Sequence, residues 1–138
     1  MKILLFIFLT PFVVLQAQED YLYILENSRG SIIRMNTDGD LESMHGDRLS
    51  RLSDIEFDPV EQKIYWLNPK SRFENCRKGE LLRADVNGSN VELVLESDLL
   101  YDPDRFTVDL ALDISNDKVY VLVDGDILKI DMISHEIM

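Results

Sequence analysis

Apolar and polar residues alternate along short runs separated by turn signals, which is the pattern of half-buried β-strands. In the middle of the chain these runs cover roughly residues 52–57, 63–67, 79–85 and 90–95. Asp58-Pro59 breaks the first pair of runs, and Asn87-Gly88 is a hairpin signal within the last pair. The pattern therefore predicts consecutive antiparallel strands.

The third of these strands divides its side chains between two faces. Leu82, Ala84 and Val86 share one face, and Arg83 and Asp85 point the other way. The second strands are apolar on both faces, which favours strands sandwiched between neighbouring sheets. An all-β fold follows.

Helical periodicity is almost absent from the chain. The segment 96–106 is the only one that we expect to hold a turn of helix, and Pro103 ends it.

The strand group is one copy of a unit that occurs about three times. Four pairs of segments match, at offsets of 49, 46, 55 and 42 residues: 32–39 with 81–88, 80–86 with 126–132, 54–67 with 109–122, and 22–26 with 64–68. The offsets differ because the loops vary in length while the strands keep their register. A period of this length is typical of a four-stranded propeller blade.

The three copies are predicted to hold three, four and three strands, or about two and a half to three blades. The first copy lacks a first strand, and the last copy stops partway through its unit. An open arc of blades leaves two apolar faces exposed. The chain is then part of a longer protein or a truncated product, a half-ring that pairs with a second chain, or a modest open stack; we favour truncation.

The first 17 residues have the layout of a secretory signal peptide. One positive charge at Lys2 precedes an apolar run that ends at the small residue Ala17. Pro11 and the shortness of the run argue against a spanning helix, which needs about 20 apolar residues. We therefore predict cleavage after Ala17, a secreted mature domain over residues 18–138, and no membrane insertion of that domain.

The composition narrows the classes of partner. The 138 residues carry a formal net charge of −12, so nucleic acid and anionic membrane surfaces are poor partners. Cys76 is the lone cysteine, which excludes a disulfide framework and leaves a free thiol or a link to another chain.

No sequence motif for catalysis, phosphate binding or a bound cofactor occurs, and we predict a non-enzymatic protein without cofactors or metals. His45 and His135 stand alone and are interpreted as surface or loop residues. An alternative hypothesis is a calcium-dependent propeller hydrolase, in which acidic and amide side chains at recurring unit positions converge on an ion: Glu26, Asp54, Asn68 and Asp109. We prefer the interpretation that Asp54 and Asp109 cap strand entries through local hydrogen bonds and that Glu26 and Asn68 line a solvated loop.

The middle copy resembles the YWTD repeat, also called the LDL-receptor class B repeat. Residues 65–68, Tyr-Trp-Leu-Asn, stand where that family has Tyr-Trp-Thr-Asp, and 87–90, Asn-Gly-Ser-Asn, resemble its downstream turn. Tyr23 and Tyr120 keep only the tyrosine, and Gly39 corresponds to Gly88. The resemblance implies a six-bladed β-propeller of extracellular receptors and matrix proteins. The resemblance also implies structural roles, rather than partner contact, for six residues: Tyr23, Tyr65, Trp66, Tyr120, Gly39 and Gly88.

The long loop between Asn68 and Gly79 is the predicted site of partner contact. It concentrates basic residues in an acidic chain and holds one aromatic side chain: Lys70, Arg72, Phe73, Arg77 and Lys78. Arginine and exposed aromatic residues on rigidly held loops are common hot spots of interfaces. An ordinary solvated insertion is the competing interpretation.

The resemblance implies that loops leaving the YWTD strand help to form a protein-binding face. It adds Glu26 and Asn68 to the candidate contacts and implies an extracellular protein ligand or co-receptor; self-association to complete the propeller is the other partner prediction. Asn87 begins an Asn-Gly-Ser sequon and is a candidate glycosylation site.

Overall fold

The computed structural model describes residues 15–18, 21–26, 31–44, 54–68, 77–101 and 109–138, and the structural statements below concern these residues. They form three antiparallel sheets, which we call the first, second and third blades. The first blade contains β1 (Leu15–Gln18), β2 (Tyr21–Glu26), β3 (Ser31–Asn36) and β4 (Leu41–Met44). The second contains β5 (Ile55–Asp58), β6 (Lys63–Asn68), β7 (Gly79–Asp85) and β8 (Glu92–Ser97). The third contains β9 (Asp109–Asp113), β10 (Lys118–Val123) and β11 (Asp126–Asp131).

Strands that follow one another in the chain are neighbours within each blade, as predicted for propeller blades. The first strands of successive blades also lie side by side, with β1 against β5 and β5 against β9. This arrangement sets the blades around a common inner edge.

The prediction of three strands in the first blade is wrong. Residues 15–18 form its innermost strand, with Leu15 opposite Ile24 and Gln18 opposite Tyr21. The sequence concealed this strand because these residues continue the apolar run of the predicted signal peptide. In the described part of the third blade there are three strands, as predicted, and an isolated bridge joins Ile130 to Ile137.

The predicted helical turn is found as a short 3-10 turn at Asp98–Leu100. A second 3-10 turn at Ile114–Asn116 was not predicted. The carboxylate of Asp113 accepts hydrogen bonds from the side chains of Ser115 and Asn116 at 2.8 Å each, which stabilises this turn locally.

Two hydrophobic clusters hold the three blades together. The cluster between the first and second blades includes Tyr23, Trp66 and Leu82, and the cluster between the second and third includes Tyr65 and Val121. Tyr65 and Trp66 are adjacent in β6 and fully buried in different clusters, because successive side chains of a strand point to opposite faces. The apolar character of both faces of β6 is thereby explained.

An aromatic pair reinforces the contact between the first two blades. The rings of Tyr23 and Phe57 stack with centroids 6.4 Å apart and planes inclined by 14°. The hydroxyl of Tyr23 donates a hydrogen bond of 3.1 Å to the carbonyl oxygen of Val86, in the turn that follows β7. The repeated tyrosine is therefore a contact between blades.

The third strand of each blade ends at a polar residue that organises the following turn. The side chain of Asn36 accepts hydrogen bonds from the backbone of Asp38 and Asp40, and that of Asp131 accepts them from Ile133 and Ser134. Gly39 and Gly88 follow with φ of 87° and 83°, where glycine is favoured. Asp124 and Gly125, both at positive φ, form the short hairpin predicted between β10 and β11.

Candidate functional site

The two ends of the blades differ in the length of their connections. At one end, which we call the loop end, β2, β6 and β10 finish and β3, β7 and β11 begin. The segments 27–30, 45–53, 69–76 and 102–108, which lie outside the described residues, join strands at this end, and so does the short hairpin at Asp124 and Gly125. The opposite end, the turn end, carries compact turns such as Asp85 to Gly88, closed by a backbone hydrogen bond of 2.8 Å. Variable recognition surfaces are expected where the longer connections leave a rigid scaffold, which is the loop end.

The base of the predicted contact loop is a buried polar pair. Asn68 ends β6 opposite Glu80 in β7, and its amide nitrogen donates a hydrogen bond of 3.2 Å to the Glu80 carboxylate. Asn68 is fully buried and Glu80 nearly so. Within the described part of the chain, the Asn68 amide oxygen is buried without a hydrogen-bond partner. Asn68 therefore lies in the interior at the end of β6, so the expectation that it lines a solvated loop is wrong, while its predicted role in partner contact stays a prediction.

The returning side of the loop is fixed by a close backbone approach. A Cβ atom on Gly79 would lie 2.0 Å from the backbone oxygen of Leu100, so the 3-10 turn sits directly on the start of β7. Arg77 is exposed just before this contact, and the Lys78 ammonium pairs with Glu96 at 2.8 Å. The positively charged residues 77–78 are thus held at the loop end by a rigid anchor.

A pair of aspartates joins the second and third blades at the same end. Asp54 is buried, and its two carboxylate oxygens accept hydrogen bonds of 2.8 Å from the backbone nitrogens of Ile55 and Leu110. Asp109 is exposed and accepts a hydrogen bond of 3.0 Å from the same Leu110 nitrogen. Burial, followed by the hydrogen bond to Asp109, raises the pKa of Asp54 to about 8.

This geometry includes the local capping expected of both aspartates, since each binds the backbone N–H of the residue that follows it. It adds a link between blades that sequence reasoning missed. Among the described residues, no three carboxylate, histidine or cysteine side chains converge in a way that could hold a metal ion.

The other predicted contact residues are only partly described. Lys70, Arg72, Phe73 and Cys76 lie outside the described residues, as does His45. The backbone of Glu26 pairs with Ser31 at the end of β2, and its side chain lies outside the described set. The structure therefore brings Arg77, Asn68 and Glu26 to the same end of the blades.

The candidate glycosylation site lies at the turn end. The Asn87 side chain is exposed, and its oxygen accepts hydrogen bonds from the backbone and the hydroxyl of Ser89 at 2.9 and 2.6 Å.

His135, which was interpreted as a surface or loop residue, is partly exposed in the turn that follows β11.

Sequence reasoning also missed a cross-strand pair of tyrosine and a basic residue. Tyr23 faces Arg34, and Tyr65 faces Arg83, at corresponding positions of their blades. The Arg83 guanidinium donates a hydrogen bond of 3.3 Å to the Tyr65 hydroxyl, and burial raises the pKa of Tyr65. The signal was present in the sequence, as a basic residue at the same place in each third strand.

In the first and second blades, the arginine that faces the tyrosine also forms an ion pair with a glutamate of the fourth strand. Arg34 pairs with Glu42, and Arg83 pairs with Glu92 at 2.7 Å. These contacts have a structural role, because they extend the tyrosine–arginine pair to the outermost strand of each blade.

Comparison with known proteins identifies the architecture. No family model matches the sequence, and no curated protein matches it. The β-propeller domain of the Trilobed protease from Pyrococcus furiosus is similar in structure, with a TM-score of 0.54 and 14% identity over 93% of this chain and 42% of that one.

Two further structures are similar at comparable levels. A putative 6-phosphogluconolactonase from Bacteroides fragilis NCTC 9343 gives a TM-score of 0.53 and 12% identity, over 92% of this chain and 36% of that one. A nidogen/laminin complex gives a TM-score of 0.51 and 13% identity, over 86% of this chain and 58% of that one. At such identities the likeness shows the fold alone, so this chain folds as a partial β-propeller and spans about a third to three-fifths of the length of these structures.

No helix long and apolar enough to cross a membrane is found within the described residues.

Proposed function

We propose that this chain is a secreted, non-catalytic β-propeller segment of the YWTD type that binds an extracellular protein through its loop end. The observation that carries the proposal is the contrast between the two ends of the blades. Compact turns close one end, whereas the other end, besides the short Asp124-Gly125 hairpin, carries the three longest connections of the chain and the exposed Arg77 above a rigid base at Gly79.

Burial of the sequence motif supports the YWTD assignment. Tyr65 and Trp66 are fully buried on opposite faces of β6, so each contacts a different neighbouring blade. Tyr23, the equivalent of Tyr65, is buried in the same way between the first and second blades. A repeated motif whose residues contact successive blades is typical of a propeller family. A nidogen/laminin complex is among the similar structures, which supports protein binding.

The electrostatic setting favours a protein ligand with an acidic or aromatic contact surface. The chain has a net charge of −12, and the segment after Asn68 gathers basic residues. An arginine-rich loop on an acidic scaffold attracts an acidic patch locally while the scaffold repels polyanions such as nucleic acid.

The test is a double substitution in the loop. Arg72→Ala with Phe73→Ala is expected to reduce capture of purified ectodomains from a panel of secreted and receptor proteins, with an unchanged melting temperature. Val60→Ala with Ile133→Ala is the matched control, because both side chains are exposed at the turn end, at 75% and 77%. Unchanged capture by the loop variant would remove this site from the proposal.

A further inference from the structure

The outer face of the third blade repeats a surface that is buried elsewhere in the molecule. Tyr120, Leu122 and Ile127 lie on the face that points away from the second blade, and Ile127 is 72% exposed. Their equivalents in the second blade are fully buried against the third blade: Tyr65, Leu67 and Leu81. We call this kind of surface the forward face of a blade.

The outer face of the first blade is the counterpart of that surface. Leu22, Ile24, Ile33 and Met35 are partly exposed on the side that points away from the second blade. Their equivalents in the second blade are buried against the first: Ile64, Trp66, Leu82 and Ala84. We call this kind of surface the rear face.

Tyrosine and basic side chains also recur at corresponding positions of the blade faces. At the junction of the first two blades, Tyr23 and Arg34 both donate hydrogen bonds to the carbonyl oxygen of Val86. On the forward face of the third blade, Tyr120 and Lys129 are cross-strand neighbours at the corresponding positions. The two exposed faces therefore carry the apolar surfaces of a junction that exists twice within the chain, and the forward face also has a tyrosine and a basic residue at the positions that bind Val86 at the first junction.

We propose that two copies of this chain close into one ring, with the forward face of each third blade against the rear face of the other copy's first blade. The repeat plan places the Thr37 carbonyl of the second copy where Val86 lies in the internal junction, within reach of Tyr120 and Lys129. Closed propellers have about four to eight blades. With the three blades that the described residues form in each copy, two copies make a ring of six, which is the one multiple of three in that range.

The ring contains two identical junctions related by a two-fold axis, and each pairs two different surfaces. Association buries the forward and rear faces together, so the dimer removes from water both apolar surfaces that an open arc exposes. This inference does not depend on ligand binding at the loop end, because it uses other residues.

The test is sedimentation of the purified chain with one substitution on each face. The wild-type chain is expected to sediment as a dimer. Ile127→Glu on the forward face and Met35→Glu on the rear face are each expected to weaken the dimer at least about 100-fold, because each places charges in both junctions. Val60→Glu is the control for a new charge at an exposed apolar position, and it is expected to leave the dimer intact.

Mixing the two variants tests the pairing of unlike faces. A mixed dimer of the Ile127→Glu and Met35→Glu chains has one junction with both substitutions and one junction with neither, so the mixture is expected to regain dimers that each variant lacks alone. A monomeric wild-type chain overturns the proposal. A dimer that only one of the two variants weakens also overturns it, because that result means that like faces pair.

Melting curves keep the experiment interpretable. Each variant must melt cooperatively, which is expected because the substituted side chains are at least partly exposed. Its midpoint is expected to lie below that of the wild type and to be independent of protein concentration, because the stabilisation by the dimer is lost. Where a glutamate variant does not fold, serine at the same position takes its place with the same expected loss of dimer.

Discussion

The carboxylate of Asp54 in the second blade accepts a hydrogen bond of 2.8 Å from the backbone nitrogen of Leu110 in the third. Two first strands are thereby joined through a side chain that is itself buried. Asp109 shares the Leu110 nitrogen, so two carboxyl groups lie at one donor. Because burial and the hydrogen bond between the two carboxyl groups favour a retained proton, the junction is sensitive to pH.

Replacement of Asp54 by asparagine is expected to change how stability depends on pH. The pKa of Asp54 is about 8 in the folded chain against an ordinary value of 3.8. Its contribution to the free energy of unfolding is therefore complete below pH of about 4 and is lost as the pH rises to about 8. The wild-type melting temperature should fall over that range relative to that of Asp54→Asn, in thermal melts from pH 4 to 9.

Asp113→Asn is the control for this comparison. Hydrogen bonds from Asn116 and Ser115 hold the pKa of Asp113 below its usual value, so its proton is already lost above pH 4. Its difference from wild type should stay flat from pH 5 to 9. A flat difference for Asp54→Asn as well would contradict the buried proton.

Truncation of Trp66 is expected to cost about 3–5 kcal/mol in the free energy of unfolding, because the side chain is fully buried between the first and second blades. Trp66→Phe should cost less, since it leaves a smaller cavity. Val60→Ala, at a 75% exposed side chain, should change stability by less than about 0.5 kcal/mol. Urea titrations measure all three, and a small cost for Trp66→Ala would refute the packed junction.

A methyl group at Gly79 is expected to displace the 3-10 turn at Asp98–Leu100. The new Cβ would lie 2.0 Å from the Leu100 backbone oxygen, which has no flexible end that could move aside. Gly39→Ala is the matched control, because its Cβ meets nothing within 4 Å and the variant bears only the strain of φ at 87°. That strain costs roughly 1–2 kcal/mol. Gly79→Ala should lower the melting temperature more than Gly39→Ala, and the reverse order would show that the turn does not rest on Gly79.

The mature N-terminus decides between two roles of residues 15–18. Signal-peptide cleavage is predicted after Ala17, whereas β1 occupies Leu15–Gln18 beside Tyr21–Ile24. We expect mass spectrometry of the secreted chain to find Gln18 first, which removes most of β1 and exposes one edge of β2. An N-terminus before Leu15 would instead retain the strand and exclude cleavage after Ala17.

Calcium is expected to leave the melting midpoint unchanged. A ligand that binds only the folded chain raises that midpoint. The oxygens of Asp54 are already used by the backbone of Ile55 and Leu110, which leaves them poorly placed to bind an ion. A midpoint that rises with calcium and returns with a chelator would favour the hydrolase alternative.

Much of the blade plan could be predicted from the sequence because it follows from repetition. Offsets between copies located the second and third strands and predicted that Leu82 and Ala84 share a face. The same offsets relate two cross-strand ion pairs, Lys63 with Asp85 at 2.6 Å and Lys118 with Asp131 at 2.8 Å. The strand pattern and the strand register recur in every copy of the repeat, so each copy supports the prediction made from the others.

The rest depends on contacts between blades, which have no local signature. The hydrogen bond from the Leu110 backbone nitrogen to the Asp54 carboxylate joins residues 56 positions apart, and no sequence pattern in either segment indicates this bond. Asn68 was expected at a solvated loop because it stands at a strand end, yet Glu80 across the sheet draws it inward. The candidate site could therefore be predicted only as far as the end of the blades from which it projects.

The unlike outer faces of the first and third blades also determine what happens when closure fails. The forward face of one copy binds the rear face of the next, so the contact is head-to-tail. When the angle between copies does not close the ring, further copies can add one after another. Ile127 at one end and Met35 at the other then become the links of a growing fibre. Crowded or misfolded preparations of this chain should polymerise lengthwise, and the same two glutamate substitutions should keep them soluble.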